Sequence, residues 1–105
     1  MSKPLDGEIA LVTGASRGIG AAIADTLAAQ GAKVIGTATS ESGAQAITAR
    51  MAALGGVGRV LNVTDGASIE ALVDAIGSEF GAISILVNNA GITRDQLLMR
   101  MKDVD

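Results

Sequence analysis

The 105 residues, 49% of them hydrophobic, are enough for one domain with its own core and too few for two. A formal net charge of -3 without a long basic run excludes the phosphate-backbone footprint of a nucleic-acid binder, and the lack of Cys and His excludes a disulfide scaffold, thiolate or imidazole metal ligands, and the commonest general base. No apolar stretch approaches the ~20 residues of a membrane span, and the start Met1 to Gly7 has no signal-peptide core, so a cytoplasmic protein with small-molecule or protein partners is expected.

In chain order, short apolar runs alternate with helical periodicity, which is the βαβ pattern. Residues 8–13 read as a strand that ends in a Gly-rich turn. Ile19, Ile23 and Leu27 then recur every four residues and predict the buried face of a first helix stopped at Gly31. A second strand is predicted over residues 33–37, and Ile47, Met51 and Leu54 mark one face of a second helix that ends near Gly55 and Gly56. A third strand is expected over residues 59–63. Asp65 or Ser68 then caps a third helix with apolar positions Ile69, Leu72, Val73, Ile76 and Phe80, and Gly81 closes it. A fourth strand is expected over residues 83–87, then the turn Asn88-Asn89-Ala90-Gly91 and a helix over residues 95–101. Right-handed crossovers and a Gly-rich turn after the first strand predict an α/β fold with spatial strand order 3-2-1-4, the first half of a doubly wound, Rossmann-like parallel sheet.

Thr13-Gly14-Ala15-Ser16-Arg17-Gly18-Ile19-Gly20 lies between the first strand and first helix. Its glycines permit a tight turn and a close approach of backbone N–H groups and the helix N-terminus to a pyrophosphate. The spacing is neither G-x-G-x-x-G nor that of a Walker A loop, and by itself a Gly-rich strand-to-helix turn can be turn chemistry alone. Asn88-Asn89-Ala90-Gly91 falls at the C-terminal end of the fourth strand, where open α/β sheets collect ligands, although its composition also suits an ordinary turn. Thr37-Ala38-Thr39-Ser40 ends the second strand without the carboxylate that usually meets a ribose 2′-hydroxyl. Arg17 with the hydroxyl of Thr39 or Ser40 can instead hold a 2′-phosphate, the alternative for Arg17 being a solvated surface charge.

The pair Thr-Gly-x-x-x-Gly-x-Gly and Asn-Asn-Ala-Gly, about seventy residues apart, resembles the short-chain dehydrogenase/reductase family over essentially the whole chain. Residues 34–40 and 88–102 resemble its bacterial 3-oxoacyl-[acyl-carrier-protein] reductases. The resemblance implies NADP as cofactor, held by Gly14, Ala15, Ser16, Arg17, Gly18, Ile19, Gly20, Thr39, Asn62, Val63, Asn89, Ala90 and Gly91, with Asp65 near the adenine. It further implies reduction of a 3-oxoacyl thioester on an acyl carrier protein, in a homotetramer, by a catalytic Ser, Tyr and Lys. None of those three is identifiable here, and the chain has no Tyr, so residues 1–105 are expected to be the N-terminal part of one NADP-binding domain whose catalytic half lies elsewhere. Reduction of another carbonyl such as acetoacetyl-CoA, or nucleotide binding without catalysis, are the alternatives. Ser84 stands where the family usually has Asp, which puts adenine contacts at that position in question. Arg94, Arg100 and Lys102 form a small basic cluster that can steer an acidic carrier or serve as a solvated helix face.

Overall fold

A computed structural model describes residues 3–16, 18–61 and 66–88. In chain order they form strand β1 (Ile9–Val12), helix α1 (Gly18–Ala29), strand β2 (Lys33–Ala38), helix α2 (Glu41–Met51) with a 3₁₀ turn (Ala52–Leu54), strand β3 (Val57–Val60), helix α3 (Gly66–Glu79) and strand β4 (Ile85–Val87). The strands make one parallel sheet in the order β3-β2-β1-β4, as the sequence predicts. Register runs Ile9 opposite Lys33, Ala10 opposite Ile85, and Ile35 opposite Val57. The predicted helix over residues 95–101 lies outside the described residues.

The alternation of side chains along each strand sorts the core into two layers. Ala10 and Val12 of β1, Val34 and Ala38 of β2, and Ile85 and Val87 of β4 pack on one face with Ala24, Ala28, Ile47 and Met51 of α1 and α2. Ile9, Leu11, Ile35 and Leu86 face the other way, onto Ile69, Leu72 and Ile76 of α3 and Phe80 just after it. Because both faces are covered, β1 can be apolar at every position: Ala10, Leu11 and Val12 have no accessible surface.

Four expectations shift. The buried residues of α1 are Gly20, Ala24 and Ala28, one position on from the predicted Ile19, Ile23 and Leu27; Leu27 is half-buried against the core and Ile19 is 73% exposed. The helix rests on its smallest side chains, which bring its backbone close to the sheet. The third strand begins two residues earlier than predicted and is shorter, at Val57–Val60, and Leu54 faces solvent. The fourth is shorter than expected, beginning at Ile85. Gly58 accounts for the position of β3: a Cβ there would collide with the Ala44 carbonyl oxygen, so α2 lies directly on the strand, and the Gly58 N–H donates to the Thr48 hydroxyl of that helix at 2.8 Å.

Candidate functional site

Four parallel strands put their C-terminal ends on one edge of the sheet. Thr13 to Ser16 and the N-terminus of α1 lie there after β1, Thr39 and Ser40 after β2, Leu61 after β3 and Asn88 after β4. The connection through α1 covers one face and the connection through α3 the other, so the edge beside β1 and β4 is a topological switch point, where open α/β sheets open a crevice.

The Gly-rich loop is tied to both neighbouring strands. On the β4 side the Thr13 N–H donates to the Val87 carbonyl at 3.0 Å, and the buried Thr13 hydroxyl donates to Asn88 Oδ1 at 3.2 Å. On the β2 side Thr37 accepts twice, from the Gly14 N–H on its hydroxyl at 3.2 Å and from the Ala15 N–H on its carbonyl at 2.8 Å. Gly14 and Gly18 turn the chain at φ 65° and 67°, values costly for any residue with a Cβ. Ala15, without accessible surface, sits over Gly36 of β2, where an added Cβ would come within 2.9 Å of its own.

Gly14 and Ala15 spend their N–H groups on Thr37, so they shape the turn, and Ala15 presents no surface to a ligand. The donors aimed off the edge belong to the first turn of α1, at Gly18, Ile19 and Gly20, where helix geometry supplies no internal acceptor and the macrodipole favours an anion. Ile19 is exposed beside them. Thr39 is exposed past the end of β2, while the Ser40 hydroxyl is the N-cap of α2, accepting from the Gly43 N–H at 3.1 Å. Of the predicted site residues, Gly14, Ala15, Ser16, Gly18, Ile19, Gly20 and Thr39 therefore share one edge. Arg17, Asn62, Val63, Asn89, Ala90 and Gly91 lie outside the described residues, as do Asp65 and the cluster Arg94, Arg100 and Lys102.

Ser84 corrects an expectation. It lies at the opposite edge of the sheet, before β4, where its hydroxyl accepts from the Ile9 N–H at 3.0 Å and its own N–H donates to the Ile9 carbonyl at 2.9 Å. It fastens β4 to the start of β1, far from any adenine placed at the C-terminal edge. Arg50, in the last turn of α2, is a residue that sequence reasoning missed. Its guanidinium reaches the Ala15 carbonyl from Nη2 at 3.0 Å, the Ser16 carbonyl from Nη1 at 3.5 Å and Asp25 of α1 from Nε at 3.2 Å.

A parallel α/β sheet with a glycine-rich turn from β1 into α1 and a switch point beside it is a nucleotide-binding arrangement, and the chain belongs to the short chain dehydrogenase family, whose profile matches residues 8–105. Proteins of this class exchange hydride with a nicotinamide nucleotide. The chain is 71% identical over 98 residues to 3-oxoacyl-[acyl-carrier-protein] reductase FabG of Escherichia coli (strain K12), a match spanning 93% of this chain and 40% of that protein. Proteins of the same name from Vibrio cholerae and Pseudomonas aeruginosa are 68% identical over 99 residues and 56% identical over 101, each covering 94% of this chain and 40% and 41% of the relative. The chain thus spans about 40% of the length of the curated relatives it matches.

Proposed function

We propose that this chain is the cofactor-binding portion of an NADPH-dependent 3-oxoacyl-[acyl-carrier-protein] reductase. Hydride passes from the nicotinamide to C3 of a 3-oxoacyl thioester carried on an acyl carrier protein, and a proton to its oxygen gives the (3R)-3-hydroxyacyl product. The observation that carries the reading is the 71% identity over 98 residues to a protein of that name, laid on a loop whose geometry suits a pyrophosphate. The reading takes the first turn of α1 to hold the pyrophosphate and the exposed Ile19 to contact the cofactor. It also takes Asn62 and Val63 to line the adenine pocket and Asn89, Ala90 and Gly91 to bind the cofactor.

NADP in preference to NAD rests on the end of β2, where Thr39 and Ser40 carry hydroxyls in the place of a carboxylate, with Arg17 as the charge partner of a 2′-phosphate. The Tyr that protonates the product oxygen in this family, the Lys that lowers its pKa and the Ser that orients the carbonyl are not identifiable in residues 1–105. The protein is proposed to work in the cytoplasm as a homotetramer.

The test is oxidation of NADPH by the full-length protein that carries this chain, supplied with acetoacetyl groups on an acyl carrier protein, on coenzyme A, or not at all. Faster turnover of the carrier-bound substrate is expected. A preference for the coenzyme A thioester points to the alternative reductase, and nucleotide binding without turnover of either thioester overturns the reductase reading.

A further inference from the structure

We propose that Arg50 is a positioning residue for the cofactor loop: it draws the carbonyls of Ala15 and Ser16 to the outer side of the turn and so fixes the direction of the loop's N–H groups. The inference rests on the nucleotide-binding reading above for its purpose, and on the contacts of Arg50 alone for its mechanism.

A turn that receives an anion must not present carbonyl oxygens to it. Gly14 and Ala15 already spend their N–H groups on Thr37, which leaves the Ala15 carbonyl in need of a donor, because the residue is wholly buried. Arg50 Nη2 supplies that donor at 3.0 Å, and Nη1 reaches the next carbonyl, of Ser16, at 3.5 Å. In a planar trans peptide the C=O of one residue and the N–H of the next point in opposite directions. Holding the Ala15 carbonyl toward Arg50 therefore aims the Ser16 N–H away from it.

The guanidinium is itself aimed. Its Nε donates to Asp25 Oδ1 of α1 at 3.2 Å, and its backbone belongs to α2, which Ile47 and the close approach at Gly58 seat on the sheet. One side chain thus joins α1, α2 and the loop between β1 and α1 through three nitrogens of a rigid fork, a geometry that the single ammonium of a lysine cannot reproduce. With Arg50 31% and Asp25 50% exposed, the ion pair adds little stability; its consequence is orientation.

The full-length protein is compared with its Arg50→Ala, Arg50→Lys and Asp25→Asn variants by hydrogen exchange of the loop amides without nucleotide, and by titration with NADPH and NADH. Arg50→Ala is expected to speed exchange across residues 14–20 and to weaken both nucleotides by the same factor, roughly tenfold. Arg50→Lys keeps the charge and recovers less than half of that loss. Asp25→Asn acts in the same direction by a smaller factor, with no further effect when Arg50 is already Ala. Unchanged loop exchange in a folded Arg50→Ala protein, weakening confined to NADPH, or full recovery by Lys each overturns the assignment. If the Ala variant does not fold, the Lys and Asn variants decide by the same two readouts. If the unaltered protein binds neither nucleotide, the proposed function falls, and the exchange data alone still decide whether Arg50 fixes the loop.

Discussion

Thr37 holds the Gly-rich loop by two atoms of one residue, its hydroxyl accepting from Gly14 and its carbonyl from Ala15, and only the first of these depends on the side chain. Thr37→Val keeps the volume and the strand-favouring branch at Cβ while deleting that acceptor, so the loss is one neutral hydrogen bond in a buried place, about 1 kcal/mol. Denaturant unfolding of the full-length protein is expected to fall by that amount for Val and by much less for Ser, which keeps the hydroxyl; equal losses for the two would assign Thr37 a packing role instead. This scale also separates what the sequence discloses from what it hides. Gly14 and Gly18 are legible because their positive φ demands glycine, and the missing carboxylate after β2 is legible because it is a residue type at a fixed place. Thr37 and Arg50 are not. Their partners in the loop are backbone groups on residues distant in sequence, and a backbone acceptor or donor leaves no trace in residue type.

At the scale of elements, periodicity is a faithful guide where the buried face is built of large side chains and a poor one where it is built of small ones. Ile69, Leu72, Val73 and Ile76 are the buried residues of α3, as their spacing predicts. In α1 the spacing of Ile19, Ile23 and Leu27 is equally regular, yet Gly20, Ala24 and Ala28 face the core, because the turn at Gly18 sets the rotation of the helix and close approach to the sheet favours small residues. Close approach also explains why β3 begins before its predicted place: the expected strand starts after Gly58, but Gly58 is the point where α2 touches the strand. A Cβ on Gly58 meets the backbone of Ala44 and, at 2.8 Å, the Cβ of Ile47, neither of which can swing aside. Gly58→Ala is therefore expected to lever α2 from the sheet and to cost about 1–3 kcal/mol in denaturant unfolding, as overpacked cores do. A Gly58→Ala protein of unchanged stability would mean that α2 shifts freely over β3. Because α2 also carries Arg50 and is capped at Ser40 beside Thr39, the same variant is expected to weaken nucleotide binding through the position of the helix.

For the whole molecule, the predicted and observed strand orders agree because two rules leave few alternatives: crossovers between parallel strands are right-handed, and the Gly-rich turn follows the first strand. The same order has a physical consequence for a chain of these 105 residues alone. Among the described residues β4 pairs only with β1, and its Ile85, Leu86 and Val87 are half-buried, apolar on both faces of the sheet. The β3 edge is better protected, since Thr48 of α2 accepts from the Gly58 N–H. A parallel sheet needs cover on both faces and a partner or a guard at each edge, and β4 carries neither a lysine nor a proline nor a bulge to deter pairing. A net charge of -3 gives weak mutual repulsion. The 105-residue chain is accordingly expected to self-associate through β4, with a sedimentation coefficient that rises with protein concentration and falls back when a charge is placed on that strand, as in Ile85→Lys. A single monomeric species across the concentration range, melting cooperatively, would mean that the edge is covered within the chain and would remove β4 as the surface of association.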